Sequence, residues 1–133
     1  MASILPSPDA LQRFFTTAEP TGPIRMLNLL RFRARAEYPD GFDAAPCSGA
    51  EAYGRYSKRV EGFVAEVGGK LAWKSTVAAS LIAPDGEAWD LVLLVEYPSR
   101  EAFGAMLRNP AYQAAVPHRT AALADSRLIA CPA

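Results

Sequence analysis

Cysteine is nearly absent: Cys47 and Cys131 are the two in 133 residues, far apart and outside any C-x-x-C or Cys/His spacing. A disulfide framework and a zinc site are thereby excluded, and no metal or other cofactor is expected. Histidine is scarcer still, His118 being the single one. Net charge is missing too: 14 basic residues cancel 14 acidic ones and no long run of one sign occurs. That speaks against a nucleic-acid stripe or an anionic membrane surface. About eighteen consecutive apolar residues would be needed for a membrane helix, and no such run exists. The start, "MASILPSPDALQRFF", lacks the charged opening and long apolar stretch of a secretory leader. A soluble protein of a reducing cytoplasm is expected, whose partner is a small molecule or a second copy of itself. Nucleophile elbow, phosphate-binding glycine loop, paired catalytic carboxylates and dinucleotide fingerprint are all lacking, which removes most hydrolase, kinase and nicotinamide-enzyme readings.

What is present is a regular succession of elements within one domain, residues 1–133, a length that fills a single core. Ser7 as N-cap and Pro8 at the first helical position predict a short helix over 8–17. "EPTGP" ends it, and "IRMLNLLRFR" at 24–33 reads as the first strand. Residues 34–47, with Pro39, Gly41 and Pro46, form an irregular loop, one suited to moving over a site. Ser48 and Glu51 make a capping box for a helix over 49–67, whose inner stripe is Tyr53, Tyr56, Val60, Phe63, Val64 and Val67. Glu51 and Arg55 sit one turn apart on its outer side. "KLAWKSTVAASLIA" and "AWDLVLLVEY" predict antiparallel strands over 70–83 and 88–97, joined at Asp85-Gly86. Ser99 caps the next helix, Asn109-Pro110 closes it and opens another, Pro117 breaks that one, and "SRLIA" at 126–130 is a terminal strand.

The order β, α, β, β, α, β after a leading helix is the split ferredoxin-like arrangement, an α+β fold with a four-stranded antiparallel sheet. Its first and third strands are central, and they are the apolar ones: Met26, Leu30 and Phe32 on one face with Leu27 and Leu29 on the other, then Trp89, Leu91, Leu93 and Val95 against Val92 and Leu94. Strand two carries Lys70, Lys74, Ser75, Thr76 and Ser80, as an edge should. Both helices cover one face of such a sheet, so the second apolar face needs a cover, and a homodimer packed sheet against sheet is expected.

"MLNLLRFRARAEY", "SGAEAYGRY", "WDLVLLVEYPSREAFGAMLRNPAY" and "HRTAALADSRLIA", in that order, resemble the domain of unknown function 1330 family, over nearly all of residues 24–131. The resemblance implies a dimeric α/β barrel made from two ferredoxin-like sheets. It also implies a menu of activities among similar dimers: cofactor-free monooxygenases of polycyclic aromatics, haem-degrading monooxygenases, lactone isomerases, and proteins that only bind a ligand. Their pockets lie between sheet and helices.

Candidate site residues are therefore polar groups that face that space. Asn28 stands in the most apolar strand, where its amide needs partners, either a neighbouring protein group or a substrate oxygen. His118 has three readings: a general base with Arg119 beside it, a haem ligand, or a staple pairing, like Arg119, with Asp90 or Glu96. Haem-degrading relatives use an Asn, a Trp and a His, and Asn28, Trp89 and His118 are on offer, with Trp73 competing for the middle role. Tyr53 and Tyr56 shape walls and need hydroxyl partners. Arg31 either turns inward as a cation or belongs with Arg33 and Arg35 to a solvated strand end, and Glu96 is expected to pair with Arg119. The functional expectation is a small homodimeric protein that binds, and in one reading transforms, a small aromatic or carbonyl compound. The alternatives are a non-catalytic dimerisation or ligand-binding module and a haem-binding monooxygenase-like protein.

Overall fold

In the computed structural model the described residues are 2–17 and 21–133. Four strands, β1 (Ile24–Phe32), β2 (Lys70–Thr76), β3 (Leu91–Tyr97) and β4 (Leu123–Pro132), form one antiparallel sheet in the order β2-β3-β1-β4. The apolar strands β1 and β3 are thus the central pair, in register from Ile24 opposite Tyr97 to Leu30 opposite Leu91. Every second side chain of the central strands is buried under the helices or half-buried, whereas the edge strand β2 is exposed along almost its whole length. Among the described residues four helices accompany the sheet: α1 (Pro8–Thr16), α2 (Gly49–Glu66), α3 (Arg100–Arg108) and α4 (Pro110–Ala122).

Local chemistry explains the helix starts. Ser7, Ser48, Ser99 and Asn109 each accept a backbone N–H of the first turn, and Ser48 with Glu51 forms the complete capping box. Glu51 is occupied there, which lowers its pKa through the Ser48 backbone and side-chain bonds. Arg55 therefore turns to Ala45 and Tyr38 rather than to Glu51. Side chains of β1 and β3 at Ile24, Met26, Leu30, Leu91, Leu93 and Tyr97 are buried under the helices. With Tyr53, Tyr56 and Val60 of α2 and Phe103 and Met106 of α3, they make the core.

Several boundaries differ from expectation, each for a tertiary reason. The hairpin strands are shorter than 70–83 and 88–97: pairing stops after Val77 donates to the Asp90 carbonyl. Asp90 is then drawn to β1, its N–H donating to Leu30 and its carboxylate accepting from the Phe32 N–H at 2.8 Å. Gly86 does adopt the left-handed φ of 82° that the turn requires, but at the tip of an exposed loop of residues 77–90. The helix expected to break at Pro117 runs through it to Ala122. Proline forfeits one hydrogen bond there, and burial of Tyr112, Ala115, His118, Ala121 and Ala122 on that helix offsets the loss. The terminal strand is longer than "SRLIA", because β4 pairs with β1 along its full length, with a bulge at Arg31/Phe32. The break expected at "EPTGP" falls partly on residues 18–20, outside the described residues.

Candidate functional site

On the helix-covered side of the sheet, even-numbered positions of β1 and odd-numbered positions of β3 point the same way, as strand alternation requires. Met26, Asn28, Leu93 and Val95 therefore floor one cavity of about 1000 Å³. Tyr53, Tyr56 and Val60, three and four residues apart on α2, roof it, with Phe103, Met106 and Tyr112 from α3 and α4. The segment leading into α1 and that helix itself close one side through Ile4, Leu5 and Phe14. Four bonds strap that segment and α1 down, the first from the Ser126 hydroxyl to the Ser3 carbonyl at 2.5 Å. The Ser3 N–H donates to Asp125 at 2.8 Å, Arg119 Nη1 donates to the Ile4 carbonyl at 2.6 Å, and Arg100 Nη1 donates to the Phe14 carbonyl at 2.8 Å. None of these strap contacts was expected from sequence, since each joins residues at least 86 positions apart.

Four of the sequence-predicted residues meet in this cavity: Asn28, Tyr53, Tyr56 and Arg119 all line it. The Asn28 amide donates to the Met26 carbonyl at 3.3 Å, and its own carbonyl oxygen accepts no hydrogen bond among the described residues. Burial raises the Tyr53 hydroxyl to about 12, opposed by the nearby Arg119 guanidinium. Tyr56 is pushed well above its ordinary 10, again chiefly by burial, and shares a 2.8 Å hydrogen bond with Tyr112. Both phenols thus stay protonated around neutral pH and can donate to a ligand. Tyr112 was not singled out in the sequence, although its spacing from Ala115 and His118 marks the inner face of α4 once the helix is continuous.

The other four candidates lie elsewhere. His118, 5% exposed, turns from the sheet toward the loop of residues 33–48. Its Nδ1 is 2.7 Å from the Tyr38 hydroxyl, and its ring meets the rings of Tyr38 and Phe42 edge-on with centroids 5.3 and 5.4 Å away. Burial first, then Arg59 and Arg55, lowers its pKa below 6.5 and favours the neutral ring, whose Nδ1 shares the hydrogen bond with the Tyr38 hydroxyl. Neither Asp90 nor Glu96 is its partner. Glu96 pairs with Arg25 at 3.4 Å instead of Arg119, because Arg25 stands directly opposite it on β1. Arg31 reaches the Gly86 carbonyl at 3.2 Å and braces the exposed loop. Trp89 lies 5.1 Å from the guanidinium carbon of Arg127, a residue itself bonded to Asp125 and Glu87. Asn28, Trp89 and His118 therefore do not converge on the cavity. Among the described residues, no group of three or more His, Cys, Asp or Glu side chains is placed to hold a metal ion, and no helix is long and apolar enough to cross a membrane.

The model of the family "Domain of unknown function (DUF1330)" matches residues 47–131. The fold is similar to that of the RPA0582 protein of unknown function from Rhodopseudomonas palustris, with 41% identity, a TM-score of 0.90, and coverage of 100% of this chain and 98% of that one. A methylated RPA0582 protein gives 42% identity and a TM-score of 0.91 over 99% of this chain and 95% of that one. A dimeric protein of unknown function with a ferredoxin-like fold from Bacteroides fragilis shares the fold alone, at 13% identity and a TM-score of 0.50 over 84% of this chain and 96% of that one. No curated protein matches the chain in sequence.

Proposed function

This chain belongs to the DUF1330 family, and on that premise we propose that it binds a small aromatic or carbonyl compound in the space between sheet and helices. The observation that carries the reading is the cavity itself. At about 1000 Å³ it is at the upper end of sizes typical of ligand sites, and its walls are mostly apolar with a few convergent polar groups. Asn28 and Arg119 orient ligand oxygens; Tyr53 and Tyr56 supply ring faces and hydroxyl donors. His118 has no part in ligand chemistry in this reading and serves to hold the loop of residues 33–48. Residues 1–133 act as one unit, in a cytoplasm that keeps Cys47 and Cys131 reduced.

A titration with cinnamyl alcohol, followed by calorimetry and by the methyl resonances of Met26, Leu93 and Met106, tests the cavity. Saturable shifts at those methyls are expected, and Leu93→Trp, which fills the floor, should weaken binding at least about tenfold. Absence of any heat or shift at millimolar ligand would sink the proposal.

The functional unit is a homodimer in this reading. The face of the sheet turned from the helices carries Leu27, Leu29, Val92 and Leu94, with Trp73 and Ile129 about half exposed at its margins. An apolar strip of this kind is what a sheet-against-sheet dimer buries, and a second copy would cover it at about 800 Å² per partner, an ordinary stable interface. Light scattering should give twice the chain mass at micromolar concentration, and Leu94→Asp should give the monomer mass. A wild-type monomer at that concentration would remove the dimer.

A further inference from the structure

Arg119 is unusual among the charged residues of the cavity wall. Glu61, Lys70 and Lys74 are exposed at its rim, and Arg127 is ion-paired with Asp125 and Glu87. Arg119 alone among the wall's cations is both partly buried and outside every ion pair formed by the described residues. A guanidinium withdrawn from water without a counter-ion is costly, and the cost falls when an anion joins it. Its short hydrogen bond goes to the Ile4 carbonyl, a neutral dipole that uses one of five N–H donors. The remaining donors form the planar fork that matches two oxygens of a carboxylate. Beside them stands the Tyr53 hydroxyl, protonated and so able to donate to the same anion. The rings of Phe14, Tyr56, Tyr97, Phe103 and Tyr112 line the rest of the space.

We infer that the ligand is an aromatic carboxylate, its ring among these aromatic walls and its carboxylate on Arg119 and the Tyr53 hydroxyl. This rests on the cavity being a ligand site, and it names the class of compound that the site prefers.

Cinnamate and cinnamyl alcohol differ only in the group presented to Arg119, and calorimetric titration of both into the wild-type protein reads the preference without a variant. Cinnamate is expected to bind about tenfold to a hundredfold tighter, the worth of a charge-assisted bidentate contact. In Arg119→Gln that preference should shrink to about twofold, with affinity for cinnamate falling more than affinity for the alcohol, and unchanged methyl resonances of Leu93 and Met106 in the ligand-free variant report an intact cavity. Equal binding of the two compounds to the wild type would overturn the carboxylate assignment and leave the cavity reading standing. A preference that survives in Arg119→Gln would overturn the role of Arg119. If neither compound binds, both the inference and the ligand-site reading fall.

Discussion

Gly49→Ala is expected to destabilise the protein by about 3 kcal/mol, whereas Gly54→Ala on the same helix should stabilise it by about 0.5 to 1 kcal/mol. A Cβ at Gly49 would meet Ala122 O at 2.6 Å and Arg33 N at 2.7 Å, and would crowd Arg33 O more closely still. All three are backbone atoms, so no side-chain rotation relieves the clash. They are also bonded to one another: the Gly49 N–H donates to Arg33 at 3.0 Å and the Arg33 N–H to Ala122 at 2.8 Å. The position is where the end of β1, the start of α2 and the end of α4 touch, and separating them would open the core at the fully buried Leu30 and Leu123. At Gly54 a Cβ meets nothing within 4 Å, and an exposed helix interior gains from losing glycine's conformational freedom. Chemical denaturation of the two variants checks the pair. Equal signs, or a Gly49→Ala loss under about 1 kcal/mol, would contradict this account of the junction.

His118→Ala should cost about 3 kcal/mol, because it removes a buried ring that packs against Tyr38 and Phe42 and takes the nearer of two partners from the Tyr38 hydroxyl. The same residue gives stability a pH dependence. Its folded pKa lies below the ordinary 6.5, so the unfolded chain takes up the proton first as pH falls. Its full contribution is present above pH 6.5 and is lost as pH falls from there through the folded value, at most about 1.4 kcal/mol per pH unit. His118→Phe keeps a ring in place and cannot titrate, while Arg55 still holds the Tyr38 hydroxyl at 3.3 Å. The gap in stability between wild type and His118→Phe should narrow or reverse between about pH 7 and pH 5. A gap that stays constant over that range, measured by urea denaturation, would show that His118 is not held neutral by the fold.

How much of this was legible depended on whether the signal was local. Ser48 and Glu51 are three residues apart, and the box they form is a property of one turn, so the start of α2 could be read directly. Alternation along "IRMLNLLRF" placed Asn28 with Met26 and Leu30 on one face, and helical spacing placed Tyr53 and Tyr56 on one stripe; Met26, Asn28, Tyr53 and Tyr56 all reach the cavity. Reading Pro117 as a break lost the phase of α4. With the helix continuous from Pro110, Tyr112, Ala115 and His118 fall on one buried stripe. The hairpin erred in the opposite sense, since the turn residues behaved as expected while Asp90 was captured by β1, a competitor invisible to local pattern.

Element order, the choice of central and edge strands, and the apolar character of both sheet faces were all determined by the sequence, because each is written in spacing of two or three to four residues. Which polar side chains share the cavity was decided only by the tertiary structure. Arg119 finds the Ile4 carbonyl 115 residues away and His118 finds Tyr38 80 residues away. The two residues are adjacent in the chain, yet a helix turns successive side chains by about 100°, which is enough to give one to the cavity and the other to the loop.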